Sequence, residues 1–231
     1  MIRIFIGFDY REEVAYHVLA RSIQVRASRP CLIAPIALEQ LDGIYDRAIN
    51  PLQSTAFSFS RFLIPYLCNY QGWAIFMDCD MLVQDDIAKL WDQRDKNYAV
   101  QVVKHDYVPK SEQKFLGATQ TKYPRKNWSS MMLFNNEKCQ ALTMDYANNA
   151  SGLELHQFKW LDNDDLIGGL DKRWNYLAGE YPHKDDVSIV HYTLGGPYFD
   201  AYKDCDFAKE WFLDRDAMLR THEVKMGDAK I

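Results

Sequence analysis

Apolar positions in this chain come in short blocks, and the spacing inside each block separates strands from helices. Residues 2–8 form a β-branched run that ends at Asp9, and the stretch behind it carries Ala15, Val18, Leu19 and Ile23 at helical intervals. That pattern predicts strand, loop, helix. Residues 31–38 predict a second strand, and residues 57–67 a helix that Pro65 should kink, because proline removes an amide donor and crowds the preceding turn. Further strands are predicted over 73–77, 98–104, 131–134 and 187–191, with a helix over 137–148. Strands alternating with helices imply an α/β fold, a three-layer sandwich around a mostly parallel sheet. Ligands bind such sheets beyond the carboxyl ends of the strands, so Asp9, Asp78, Asp80 and His191 should converge there. An amphipathic helix over about 207–220, carrying Phe207, Trp211, Phe212, Met218 and Leu219, should pack on one domain spanning 1–231. No repeat, low-complexity tract or Pro/Gly-rich linker divides the chain.

The composition narrows the class. With 231 residues, 48% of them hydrophobic and 14% aromatic, the chain has enough apolar material for a packed interior and is no disordered segment. A net charge of -5 argues against a nucleic-acid partner. The longest charge-free apolar stretches, such as 30–38, fall far short of the ~20 residues a membrane span needs. The amino-terminal residues lack the long apolar region of a secretory signal. Cys31, Cys68, Cys79, Cys139 and Cys205 form no CxxC, so neither a disulfide framework nor a zinc site is expected, and a cytoplasmic location fits.

Four Asp-x-Asp triplets occur among 23 aspartates, where chance alone supplies roughly two, so the triplet carries little by itself. Only Asp78-Cys79-Asp80 follows a strand-like run, Trp73 through Met77. On an extended backbone residues i and i+2 project to one side, so both carboxylates can face one cation, and oxygen ligation suits Mg2+ or Mn2+ bridging to a diphosphate. The plainer reading is a loop in which aspartates end a strand and cap a helix.

Further motifs stand in order around this pair. The run Phe76-Met77-Asp78-Cys79-Asp80-Met81-Leu82-Val83 continues to Asp86-Ile87 and Leu90-Trp91. Upstream stand Ser54-Thr55-Ala56-Phe57 and Arg61-Phe62-Leu63-Ile64-Pro65; downstream come Met131-Met132-Leu133-Phe134-Asn135 and His191-Tyr192 with Gly195 and Pro197. Over roughly residues 2–198 the sequence thereby resembles nucleotide-sugar glycosyltransferases of the GT-A (Rossmann-like) fold, most closely glycosyltransferase family 8. The resemblance implies a retaining hexosyltransferase with a UDP-sugar donor, a Mn2+ or Mg2+ ion on Asp78, Asp80 and His191, and a glycan, lipid or protein acceptor. It also implies donor contacts from Arg61, Asp78, Ser129, Ser130, Gly195 and Gly196, and catalytic work for Asp164 and Asp165, while Asp9, just after the first strand, and Gly7, which permits close backbone approach, are donor-contact candidates by position. For Asp9 the competing role is a helix N-cap, and for Asp164 and Asp165 a solvated acidic helix start.

The sequence departs from the family pattern at three places. Gly196 stands where the family carries a phosphate-binding lysine, Trp128-Ser129-Ser130 where it has Asn-Ala-Gly, and Asn163-Asp164-Asp165 where it has Asp-Gln-Asp. Residues 104–128 hold six basic groups against two acidic ones, so Lys110, Lys114, Lys122 and Lys126 are candidates for the missing phosphate cation. Two rivals stay open: a haloacid-dehalogenase-like phosphatase using Asp78 and Asp80, and a nucleotide-sugar-binding module with a degenerate site.

Overall fold

The computed structural model describes residues 1–48, 53, 55–109 and 124–220. Strand β1 (Ile2–Gly7) buries Ile2, Ile4 and Ile6 in period-two alternation. Asp9 caps a short 3-10 turn that leads into helix α1 (Glu13–Arg26), whose Ala15, Val18, Leu19 and Ile23 are buried. Strand β2 (Cys31–Ile36), helix α2 (Ile64–Leu67), strands β3 (Trp73–Met77) and β4 (Met81–Val83) and helix α3 (Ile87–Trp91) follow. The second half contains β5 (Val100–Val103), β6 (Met131–Asn135), α4 (Met144–Asn149), α5 (Gly152–His156), β7 (Ile167–Leu170), β8 (Tyr176–Leu177), β9 (Ile189–His191) and α6 (Ala208–Leu219).

The central sheet has strand order β2-β1-β3-β6-β5-β7. Strand β1 is parallel to β2 and β3, and β5 is parallel to β7, while β6 runs antiparallel to β3 and β5. The fold is therefore a mixed α/β architecture in which every central strand except β6 shares one direction. The carboxyl ends of β1, β3, β5 and β7 and the amino end of β6 consequently lie along one edge. Residues 73–77 are buried almost throughout, because β3 lies inside the sheet between β1 and β6.

Three sequence-based expectations change. Residues 57–67 do not form one kinked helix: Ser60–Leu63 is a 3-10 segment and α2 begins at Ile64. Pro65 falls in the first turn of α2, where its missing N–H has no intrahelical partner to lose. The helix expected over 137–148 starts only at Met144, because the Thr143 hydroxyl accepts from the Tyr146 amide and caps it there. The late strand, β9, is not in the central sheet. It sits between β4 and β8 in a separate three-stranded sheet.

The expected carboxyl-terminal helix is α6, which packs on α1. Its buried Asp214 takes Arg21 at 2.6 Å and Arg26 at 2.9 Å, both from α1, so the charge goes into the interior with two opposite charges beside it. Among the described residues no helix is long and apolar enough to cross a membrane.

Candidate active site

The site grows from the end of β3. Asp78 is the first residue past the strand, and its amide donates to the Ser130 carbonyl at 2.8 Å, just beyond the Met77–Met131 pair of the β3–β6 ladder. Its carboxylate meets the Arg61 guanidinium at 2.6 Å. Arg61 is itself buried: Nη1 donates to the Ser129 carbonyl at 2.9 Å, and the guanidinium lies 4.9 Å from the Phe76 ring centroid and 5.2 Å from that of Phe57. Arg61 is thus an interior arginine that fixes Asp78, not a mobile surface charge.

Asp80 reaches His191 through the small sheet. Met81 of β4 is paired with His191 of β9, and the Tyr192 amide donates to the Asp80 carbonyl at 2.9 Å. His191 Nε2 then lies 3.4 Å from Asp80 Oδ1. On its other side, His191 Nδ1 lies 3.0 Å from Asn175 Oδ1, while Asn175 Nδ2 donates to Ser130 Oγ at 2.8 Å. The bond to Ser130 fixes the Asn175 amide with its oxygen toward the histidine. An amide oxygen accepts only, so Nδ1 carries the proton and the Nε2 lone pair faces the aspartates. One ligand atom from each of Asp78, Asp80 and His191 lies within 4.8 Å of the other two. Two carboxylates and a tautomerically fixed imidazole fit a divalent cation.

The surroundings of this triad are crowded with acid. Glu12, 1% exposed, has its carboxyl pushed up to about 8, first by burial and then by the charge of Asp80. Oε2 of Glu12 accepts the Tyr198 hydroxyl, and Oε1 is buried without a hydrogen-bond partner. The Cys79 thiol is likewise pushed up by burial and by the carboxylates around it. At Gly196 the space for a side chain is taken, since a Cβ there would stand 2.2 Å from the Tyr198 ring. Gly195 has φ of 144°, which L side chains rarely adopt.

The remaining predicted residues divide. Asp9, at the end of β1, accepts from the Arg11 amide and guanidinium and from the Ala56 amide. Burial alone would raise its pKa, yet these donors hold it below the usual carboxylate value. It is the N-cap that the plainer reading described. The space at Gly7 is taken by the Phe57 ring, 2.3 Å from where a Cβ would sit. Ser129 is 4% exposed, and its hydroxyl lies 2.7 Å from Nδ1 of the half-buried His156, whose pKa desolvation pushes down to about 3. Ser130 supports His191 through Asn175. Lys126 is buried; Lys110, Lys114 and Lys122 lie outside the described residues.

Asp164 and Asp165 are not members of the Asp78–Asp80–His191 cluster. Both are exposed in the 3-10 turn before β7, where Asn163 caps the Asp165 amide and Asp164 pairs with Arg125. Ile167 pairs with Val100 at the start of β5, and Arg125, the partner of Asp164, lies 5.5 Å from the centroid of the Trp128 ring. Asn175, Glu12, His156 and Tyr198 were missing from the sequence reading. Isolated polar residues outside a motif give no periodic signal, and their partners are distant in the chain.

A mostly parallel sheet with an Asp-Asp-His cluster past its carboxyl edge defines a nucleotide-sugar glycosyltransferase architecture of the GT-A type. The family model for glycosyl transferase family 8 matches residues 35–197, and the chain belongs to that family. It is 46% identical over 237 residues to Protein CDI of Arabidopsis thaliana, covering 99% of this chain and 91% of the relative. Among solved structures it resembles galactosyltransferase LgtC in complex with donor and acceptor sugar analogs, with a TM-score of 0.60 and 14% identity over 96% of this chain and 98% of that one. The bifunctional glycosyltransferase WbbM matches with a TM-score of 0.59 and 17% identity over 93% of this chain, which spans 49% of WbbM. At these identities the structural matches speak to the fold alone.

Proposed function

We propose that this protein transfers a hexose from a UDP-sugar to an acceptor with retention of anomeric configuration, using Mn2+ or Mg2+. The observation that carries the reading is the convergence of Asp78, Asp80 and His191 from three strands onto one point at the carboxyl edge of the sheet. A cation held by these residues supplies Lewis-acid neutralisation of the charge that grows on the departing diphosphate. The chain's own residues prepare that event. Arg61 holds Asp78 in place from behind, and Asn175 holds the Nε2 lone pair of His191 toward the cation position. Asp9 and Gly7 lie at the end of β1, the natural place for the nucleoside. The turn at Gly195 and Gly196 lets backbone approach the diphosphate, with the missing lysine charge drawn from Lys110, Lys114, Lys122 or Lys126. The five cysteines are unpaired, which supports a reducing, cytoplasmic setting.

Thermal shift with UDP tests the reading, since the aspartates can hold a diphosphate only through a bridging cation. Stabilisation by UDP with Mn2+ that vanishes in EDTA is expected, together with turnover of a UDP-hexose. Equal stabilisation in EDTA overturns the metal bridge, binding without turnover makes the protein a binding module, and turnover of p-nitrophenyl phosphate alone returns it to the phosphatases. Proton NMR of the first-formed product decides retention.

A further inference from the structure

Next to the triad, on the β5 and β7 side, lies a surface that the transferase reading has not used. His105, two residues past β5, is 5% exposed, and its Nδ1 lies 2.8 Å from the Tyr181 hydroxyl. Its backbone carbonyl accepts the Trp128 indole N–H at 2.8 Å. One residue therefore joins two half-buried aromatic faces, Trp128 and Tyr181, and Tyr107 closes the group with its ring centroid 6.0 Å from that of Tyr181. Each of the two faces carries an exposed lysine: Lys104 Nζ lies 5.9 Å from the Trp128 centroid, and Lys172 Nζ 5.3 Å from that of Tyr181.

Three features mark this as a place for a ligand. First, among the described residues neither lysine has a carboxylate within salt-bridge distance, although Asp106 is in the same loop and Arg125 beside Trp128 is taken up by Asp164. Second, His105 Nε2 is buried and has no hydrogen-bond partner, an expensive condition for a ring nitrogen. Third, the surface is tied to the site: the Asn127 side chain donates to both the Tyr107 hydroxyl and Thr193 Oγ1, two residues after His191. Lys104 follows β5 and Lys172 follows β7 at the edge where Asp78 leaves β3, whereas Asp9 lies at the end of β1, across β3 and β6. With the nucleoside beside β1, what lies over β5 and β7 is the acceptor side.

Aromatic faces take up the apolar face of a pyranose, and ammonium groups beside them select for negative charge. We propose that Trp128 and Tyr181, with Lys104 and Lys172, form an acceptor subsite for a sugar bearing an anionic group, a carboxylate or a phosphate. This rests on the transferase reading for the word acceptor, but the anion preference of the surface is measurable without it.

Saturation-transfer NMR with the full chain, with and without UDP and Mn2+, compares glucose, glucuronate and glucose 6-phosphate at low and physiological salt. At least one charged sugar should bind about tenfold more tightly than glucose, and the preference should shrink with salt. The arm that binds better identifies carboxylate or phosphate as the group recognised. Lys104→Gln and Lys172→Gln keep the alkyl stems on the rings, and each should remove most of the preference while UDP affinity with Mn2+ stays within about twofold of the parent. Equal binding of all three sugars overturns the proposal, as does a preference that survives in the double variant. A loss that falls on UDP affinity instead assigns the lysines to the donor and overturns it as well. Failure of the parent protein to bind UDP with Mn2+ sinks the transferase reading and leaves the anion test standing.

Discussion

Asp78 and Asp80 follow a strand; Asp164 and Asp165 precede one. The first pair leaves the carboxyl end of β3, where Arg61, the β4–β9 ladder and the amino end of β6 all close in, and each carboxylate acquires a partner from a distant part of the chain. The second pair sits at the amino end of β7, in an exposed turn where an asparagine caps one amide and a single arginine pairs with one carboxylate. Both are acidic doublets beside apolar runs. Strand direction separates them: in a sheet whose strands mostly run one way, residues just past the strands meet one another, while residues just before them meet solvent.

The largest expected effect breaks the first pair. Asp80→Asn or His191→Ala should lower turnover by at least about a hundredfold and abolish Mn2+-dependent stabilisation by UDP, since each removes one of three ligands. Fold is retained in both, checked by circular dichroism. Near-parental turnover in either variant moves the cation elsewhere and ends the contrast between the pairs.

Removing the support behind the first pair comes next. Asn175→Ala frees His191 to choose its tautomer, and Mn2+ affinity measured by electron paramagnetic resonance should fall about tenfold to a hundredfold. Ser130→Ala acts one bond further out and should cost less, because Asn175 keeps its contact with the Asn127 carbonyl at 3.4 Å. An Asn175 variant that binds Mn2+ as the parent does shows that the ring is held by β9 packing alone.

A smaller effect reads the acid crowding around Asp80. Glu12 titrates near 8 in the fold against 4.5 for an ordinary glutamate, so over that interval the native state holds a proton that the unfolded state has released. The stability linked to this proton is complete below about pH 4.5 and is lost as pH rises through about 8. Metal-free protein should lose a few degrees of Tm between about pH 5 and pH 9, and Glu12→Gln, which cannot ionise, should flatten that slope. Parallel slopes for parent and variant mean that neither burial nor the charge of Asp80 raises the Glu12 carboxyl in the fold.

How far the sequence carried follows the same division. Residues 73–77 alternate with nothing polar and are followed at once by Asp78, so strand and carboxylate were both legible, and β3 matches residue for residue. His191 was found through its motif, yet its strand was assigned to the wrong sheet, because a short strand with only two apolar residues says nothing about which neighbour it pairs with. Asn175 and Glu12 left no trace. A lone polar residue announces itself only through the buried partner it satisfies, and both partners here, His191 and Tyr198, are more than fifteen residues away. Asp164 and Asp165 were singled out by spacing alone, and spacing is blind to which end of the strand it marks.

The smallest expected effect concerns that second pair, and it is the sharpest test of the contrast. Asp164→Asn removes one member of an ion pair whose carboxylate is 71% exposed, an interaction of the kind worth about 0–1 kcal/mol, so stability should scarcely move. Asp165→Asn removes an exposed charge at the start of a short turn and should move it less. Because both carboxylates are exposed in a turn at the amino end of β7, neither is expected to stabilise charge at the reacting sugar, and kcat should stay within about threefold of the parent in each variant. Steady-state kinetics with saturating UDP-hexose and Mn2+ supply the measurement. A loss near a hundredfold in kcat at unchanged UDP affinity would mean that the turn travels to the reacting carbon when donor is bound. The two aspartate pairs would then be partners in one site, and strand direction would cease to explain their difference.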